Sequence, residues 1–140
     1  MTTARWFLAH SKSCPVEHID TWAKALTPAL TSPGWDAQVT SAREDYELRA
    51  RAMGGWHRWC QDVPRGVRWD GTPLFHGIII PEGPIVGRAT DSLIRGFLDA
   101  GKHVFAWEPS TGRFHAVSGL KELGLDNWKQ WSKIVLTSIS

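Results

Sequence analysis

The chain has few cysteines and a net charge close to zero, and these two features argue against a disulfide-bonded protein and against a nucleic-acid-binding protein. Cys14 and Cys60 are its two cysteines; they lie far apart and match no metal-binding or redox spacing. We therefore expect free thiols in a reducing compartment rather than a disulfide. The formal net charge is only +2 at pH 7, from 16 basic and 14 acidic side chains. Electrostatics of that size do not indicate nucleic-acid binding.

Long apolar runs and metal-binding motifs are also missing. No stretch approaches the roughly 20 apolar residues of a membrane span, and residues 1–10 contain no apolar core of signal-peptide length. We therefore expect a cytoplasmic protein with no membrane partner. The six histidines form no H-E-x-x-H pattern, and neither a C-x-x-C pair nor a G-x-S-x-G elbow is present. We predict neither a metal nor another cofactor.

Tryptophan, in contrast, is abundant, with nine in 140 residues. Indoles build large cores, line pockets for flat ligands, or form subunit interfaces. Four of them are candidates for touching a ligand: Trp56, Trp59, Trp69 and Trp107. Trp56 is selected as the stacking residue, and packing of its helix onto a sheet is the alternative. The length and a composition that is 42% apolar and 21% charged fit one globular domain. We assign residues 1–140 to that domain, with 110–140 as a C-terminal extension.

Short apolar runs predict the strands of a buried sheet. They lie at residues 5–9, 35–40, 73–81, 103–107 and 114–117. The run at 73–81 is apolar on both faces, as a central parallel strand requires. Residues 128–137 suit either a closing helix or a last strand.

Amphipathic stripes with spacings of three and four predict helices between these strands. The first follows Ser13, which suits an N-cap, and Pro28 disturbs its end. The second is interrupted at residues 54–55, where two glycines predict a kink or two shorter helices. Thr90 suits the N-cap of the third helix, and Gly101 supplies its C-terminal stop.

The resulting β-α-β-α-β-α-β order implies parallel strands joined by right-handed crossovers, with helices on both faces. We predict a small doubly wound α/β fold of the flavodoxin or Rossmann-like type. It would be a three-layer sandwich with a mainly parallel sheet of four to five strands. In such sheets ligands bind at the carboxyl ends of the strands, near a topological switch point. This rule selects three loops, at residues 10–13, 41–45 and 82–90.

The loop at 82–90 has the strongest ligand-binding character. Its glycines and the helix N-terminus that follows offer free N–H groups and a positive dipole end to an anion, and an arginine adds a planar cation. An ordinary strand-to-helix turn is the alternative. The candidate ligand-binding residues here are Glu82, Gly83, Gly87, Arg88 and Thr90.

The two other loops supply further candidates. His10, Ser11 and Ser13 would hold a phosphate or a ribose, or Ser13 would only cap the helix. Arg43 and Asp45 begin the second helix. The carboxylate would hold ribose hydroxyls or act as a base, or it would only complement the helix dipole.

The stretch at 75–107, FHGIIIPEGPIVGRATDSLIRGFLDAGKHVFAW, resembles the core of nucleoside 2-deoxyribosyltransferase-like and SLOG-type Rossmannoid domains. In these domains a hydrophobic strand ends in a glycine-rich turn, a helix follows, and Gly-Lys leads into the next strand. The opening FLAHS at 7–11 is similar to their first strand and loop, and to the start of TIR domains. The resemblance covers most of residues 5–107.

The resemblance implies binding of a nucleoside, a nucleotide or a nucleotide-derived signal, with cleavage or transfer at the N-glycosidic bond. It places a nucleophilic glutamate near Leu93, where this chain has leucine, so we take Asp91 and Asp45 as the candidate catalytic carboxylates. A non-catalytic nucleotide-binding or protein-interaction module is the alternative. Because the resembled families often build sites across subunits, we expect a homo-oligomer, associating through tryptophan-rich helices.

Overall fold

A computed structural model describes residues 2–10, 14–81 and 88–116, and shows a mixed α/β fold around one five-stranded sheet. The strands are β1 (Thr2–Leu8), β2 (Trp35–Ser41), β3 (Gly77–Pro81), β4 (His103–Glu108) and β5 (Arg113–Ala116). The helices are α1 (Val16–Leu30), α2 (Ala42–Asp45), α3 (Arg51–Met53), α4 (Trp56–Asp62) and α5 (Arg88–Asp99), with a π-helical turn (Tyr46–Ala50) between α2 and α3. The predictions for residues 128–137 lie outside the described residues.

The strand order is β2-β1-β3-β4-β5. The pairs β1–β2, β1–β3 and β3–β4 are parallel, and β4–β5 is antiparallel. The sheet is therefore mixed, and the prediction of a mainly parallel sheet needs this correction. The physical reason is the short connection at 109–112, because a tight turn joins antiparallel strands whereas a parallel pair needs a long crossover.

Successive residues of the central strands belong to two different apolar clusters. Phe7 and Ile78 pack with buried residues of α4 and α5, whereas Leu8 and Ile79 pack with buried residues of α1. Since neighbouring residues of a strand point to opposite faces, the two clusters lie on opposite sides of the sheet. Gly77 permits the close approach of β3 to the Trp6 ring of β1, because a Cβ atom at this position would lie 2.6 Å from Trp6 Cζ3.

β1 and β3 begin three and four residues away from their predicted starts, whereas the bounds of β2, β4 and β5 differ from the prediction by one residue. β1 runs from residue 2 to 8 rather than from 5 to 9, and β3 covers only the second half of the predicted run at 73–81. The first half turns back on the preceding loop instead. Leu74 N–H donates to the Gly66 carbonyl at 2.9 Å, and Pro73, which has no N–H, forms a bridge with Val67.

Helix ends also differ in three places. α1 begins at Val16 with Pro15 rather than Ser13 at the N-cap position, because the Pro15 carbonyl accepts the bonds of the first turn, from the N–H groups of His18 and Ile19 at 3.1 and 3.2 Å. α1 continues through Pro28 to Leu30, because the proline removes only one backbone bond and Thr31 N–H still closes the last turn on the Thr27 carbonyl. Thr90 is the third residue of α5 rather than its N-cap. The predicted stop at Gly101 is confirmed: its φ is +69°, and the bonds Gly101 N–H to Leu98 and Lys102 N–H to Phe97, both 3.0 Å, form a Schellman motif.

The segment after β2 is interrupted at the predicted place. Gly54 and Gly55 have φ angles of +89° and +114°, values that favour glycine, and they separate α3 from α4. The π-helical turn before them was not expected from the sequence. Its widened geometry precedes the break, where Gly55 N–H donates to the Ala50 carbonyl five residues back at 3.0 Å. No helix in the described ranges has the length and apolar character needed to cross a membrane.

Candidate functional site

A cavity of about 510 Å³ lies at the carboxyl end of the parallel strands. Its walls come from the residues that follow β1, from the helical segments after β2, and from α5, which follows β3. The volume is that of a small-molecule site. The chain also places β2 on one side of β1 and β3 on the other, so the cavity lies at the switch point of the strand order.

Five of the sequence-predicted candidates line this cavity together: His10, Arg43, Trp56, Trp59 and Thr90. They come from four separate parts of the chain, up to 80 positions apart. The rule that ligands bind at the carboxyl ends of parallel strands selects three of the five. The two tryptophans are selected as stacking aromatics instead.

A histidine ties the end of β1 to the start of α2. The backbone N–H of Arg43 donates to Nε2 of His10 at 3.1 Å, which requires an imidazole with an unprotonated Nε2. Ser41 caps α2 by accepting from the Glu44 N–H at 3.1 Å. The Arg43 guanidinium donates to Glu47 at 3.3 Å, and both side chains are exposed. A cation therefore lies beside the cavity, partly balanced by one carboxylate.

Three aromatic side chains form one wall of the cavity: Tyr46, Trp56 and Trp59. Trp59 is buried, and Tyr46 meets it edge-on with ring centroids 5.4 Å apart and an interplanar angle of 88°. Trp56 is 43% exposed and stacks on His57 at 4.2 Å. A wall of this kind offers both ring faces and ring edges to a flat ligand. We call these three residues the aromatic wall.

Sequence reasoning missed five lining residues: Cys14, Ile19, Ala42, Tyr46 and Leu93. Tyr46 lies in a π-helical turn, which leaves no recognisable pattern in the sequence. Leu93 is the position where the resemblance places a glutamate, and here it gives the cavity an apolar surface.

Asp45, a predicted catalytic carboxylate, is buried and does not belong to the residues that line the cavity. Arg49 donates to both of its oxygens, from Nε to Oδ1 at 2.9 Å and from Nη2 to Oδ2 at 2.7 Å. The indole N–H of Trp59 also donates to Oδ2, at 2.8 Å. Arg49 reaches Asp62 at 3.1 Å as well. Burial lowers the pKa of Arg49, but its bonds to the two carboxylates outweigh this and raise it, so the guanidinium stays charged.

Five of the other predicted site residues lie outside the described residues: Ser11, Ser13, Glu82, Gly83 and Gly87. The side chains of Arg88 and Asp91 lie outside the described part as well. The backbones of Arg88 and Asp91 lie in the first turn of α5, next to Thr90. Among the described residues, no group of three histidine, cysteine or acidic side chains is placed to hold a metal ion.

The two thiols should differ strongly in reactivity. Cys60 is buried, and this burial raises its pKa to about 11 from an ordinary 9.0. The thiolate fraction at a given pH below 9 is therefore about 100-fold smaller than for an unshifted thiol. Burial also raises the pKa of Cys14, but Cys14 lines the cavity and is half-exposed. We expect iodoacetamide to modify Cys14 alone in the native protein.

Mass spectrometry of the alkylated protein, after digestion, checks this expectation. Unfolding in urea should make both cysteines react at similar rates, which is the internal control. Equal labelling of Cys60 and Cys14 without denaturant would contradict the burial of Cys60.

No protein-family model, no curated protein and no solved structure matches the chain.

Proposed function

We propose that the protein binds a nucleoside, a nucleotide or a nucleotide-derived signal in the cavity at the carboxyl end of β1. The observation that carries the proposal is the aromatic wall of Tyr46, Trp56 and Trp59 at this position. Stacking of a base on an aromatic side chain contributes roughly 1–3 kcal/mol. Such a wall suits the flat face of a base and tolerates different bases.

The fold supports the same proposal. The strand order around β1 and the apolar clusters on both sides of the sheet favour a small doubly wound sandwich. In that fold the crevice between helices on opposite faces, beyond the carboxyl ends of the strands, is the usual ligand site. The cavity occupies the corresponding place here.

The polar groups around the cavity suit a sugar or a phosphate. Arg43 offers a cation with several donors, and Thr90 offers a hydroxyl. The described lining side chains include no carboxylate, so an anionic ligand meets no like charge from them. The volume of about 510 Å³ accommodates a base together with its sugar.

Binding without turnover is the form of the proposal that the contacts favour. Cleavage at an N-glycosidic bond needs a carboxylate close to the sugar, which stabilises the oxocarbenium-like centre. Leu93 supplies an apolar surface at the position expected for it, and both oxygens of Asp45 accept bonds from Arg49 and Trp59. Asp91, in the first turn of α5, is the candidate that remains for such chemistry.

Isothermal titration calorimetry tests the proposal with the four common ribonucleosides and their 5′-monophosphates. Ribose 5-phosphate is the matched control, since it has the sugar and the anion without the base. We expect saturable binding of at least one base-bearing ligand and none of ribose 5-phosphate. Absence of binding by all eight would overturn the proposal, and equal binding of ribose 5-phosphate would overturn the role of stacking. Chromatography of the same mixtures detects any free base. Its release would show that the protein cleaves its ligand instead of only binding it.

A further inference from the structure

The buried carboxylate of Asp45 is unusual because it lies beside the cavity and yet faces protein donors. Its residue is only 5% exposed. Burial of a charge costs several kcal/mol unless hydrogen bonds and an ion pair offset it, and a well-packed apolar residue often stabilises a fold equally well. Three hydrogen bonds around one buried carboxylate are therefore weak evidence that Asp45 serves only the stability of the fold.

One of these bonds reaches the aromatic wall. The indole N–H of Trp59 donates to Asp45 Oδ2 at 2.8 Å, a charge-assisted bond. The ring otherwise touches Phe7 and Tyr46, with centroid distances of 5.8 and 5.4 Å. The χ2 torsion of a tryptophan is intrinsically broad and roughly two-fold, and apolar packing has no preference for where the indole N–H lies. A bond to the single polar atom of the ring selects one rotation about χ2.

An arginine fixes the position of the Asp45 carboxylate. Arg49, within the π-helical turn, binds both oxygens of Asp45 and also reaches Asp62 at 3.1 Å. Asp62 ends α4, the same helix that carries Trp59. The planar fork of an arginine makes this bridge between the two segments directional. π-Helical turns occur often at functional sites, and this one begins directly after the acid and contains its arginine.

From these contacts we infer that Asp45 is a positioning residue. It binds the indole N–H of Trp59 and thereby sets the ring against which a flat ligand packs. Arg49, which binds both of its oxygens, keeps the carboxylate in place. The inference rests on the proposed function and deepens it, because it assigns the preorganisation of the binding site to a residue outside the cavity.

The test uses Asp45→Asn and Trp59→Phe, singly and combined, with Asp62→Asn as the matched control. Asparagine offers one acceptor oxygen to three donors, so the bond to Trp59 weakens. Phenylalanine keeps an aromatic ring but lacks the N–H. Asp62→Asn removes a carboxylate that binds Arg49 without contacting Trp59. Urea titration of each variant establishes the conditions under which it is folded.

Two measurements separate positioning from a structural role. In the free protein, the indole ¹H–¹⁵N resonance of Trp59 should move upfield in Asp45→Asn and stay in place in Asp62→Asn. In calorimetry with each nucleoside 5′-monophosphate, Asp45→Asn should weaken binding by at least about fivefold. In the Trp59→Phe background the same substitution should change the dissociation constant by less than about twofold.

Two results would contradict the positioning role of Asp45. An unmoved Trp59 resonance, or the same loss of affinity in both backgrounds, would overturn it, because Asp45 would then act through the fold and not through the indole. If none of the monophosphates binds the unmodified protein, the proposed function fails, and with it the role of Asp45 in ligand binding. The resonance would still decide whether Asp45 fixes Trp59.

Discussion

Replacement of Phe7 by alanine should lower the free energy of unfolding by about 3–5 kcal/mol. Phe7 is fully buried in β1, and its ring meets those of Phe75, Phe97 and Trp59 at centroid distances of 5.2, 6.3 and 5.8 Å. These neighbours come from three other parts of the chain, so the surrounding residues cannot collapse easily into the space left behind. Since a domain of this size has a total stability of about 5–15 kcal/mol, the variant should lose a large share of it.

Phe114→Ala is the matched control for this experiment. Phe114 is half-buried in the edge strand β5 and contacts Phe105 and Trp107. Its replacement removes the same atoms with less burial, so we expect a loss of about 1–2 kcal/mol. Urea-induced unfolding followed by circular dichroism gives both values. A Phe7→Ala loss no larger than that of Phe114→Ala would contradict the central place of Phe7 in the core.

The parts of the fold and site that follow simple chemical patterns could be predicted from the sequence. The strand predicted at 35–40, the glycine break at 54–55 and the stop at Gly101 each depend on local residue types. The structure has all three, the strand being one residue longer than predicted. His10, Arg43 and Thr90 were selected because parallel strands end at the same edge of a sheet. That rule needs only the order of the elements, and these side chains do line one cavity.

The parts that depend on tertiary contacts could not be predicted. Asp45 follows an N-capping serine, a position that equally suits an exposed acid, and its burial depends on Arg49 and Trp59, 4 and 14 residues further along the chain. Likewise, Tyr46 reaches the cavity from a π-helical turn, whose hydrogen bonds differ from those of an α-helix without a distinct residue preference. The antiparallel pairing of β5, in contrast, was within reach of the sequence, because the runs predicted at 103–107 and 114–117 leave only six residues between them, too few for a parallel crossover.

Replacement of Trp56 by alanine should weaken nucleoside 5′-monophosphate binding by about 10- to 100-fold while leaving the fold intact. The indole lines the cavity and is 43% exposed, so it has a free surface on which a base can stack. Loss of one base–aromatic stack costs roughly 1–3 kcal/mol, and each 1.4 kcal/mol is a factor of ten in affinity. Because Trp56 packs mainly on His57, the free energy of unfolding should fall by less than about 1 kcal/mol.

Trp69→Ala is the control that separates stacking in the cavity from a general effect of removing an indole. Trp69 is 91% exposed, lies in the turn closed by the Arg68 N–H to Thr72 bond, and does not line the cavity. Its replacement should change the dissociation constant by less than about twofold, measured by calorimetry beside Trp56→Ala. An equal loss in the two variants, or no loss in Trp56→Ala, would show that the base does not pack on this wall. A loss confined to Trp56→Ala would place the base against α4, where Trp59 forms the neighbouring part of the wall.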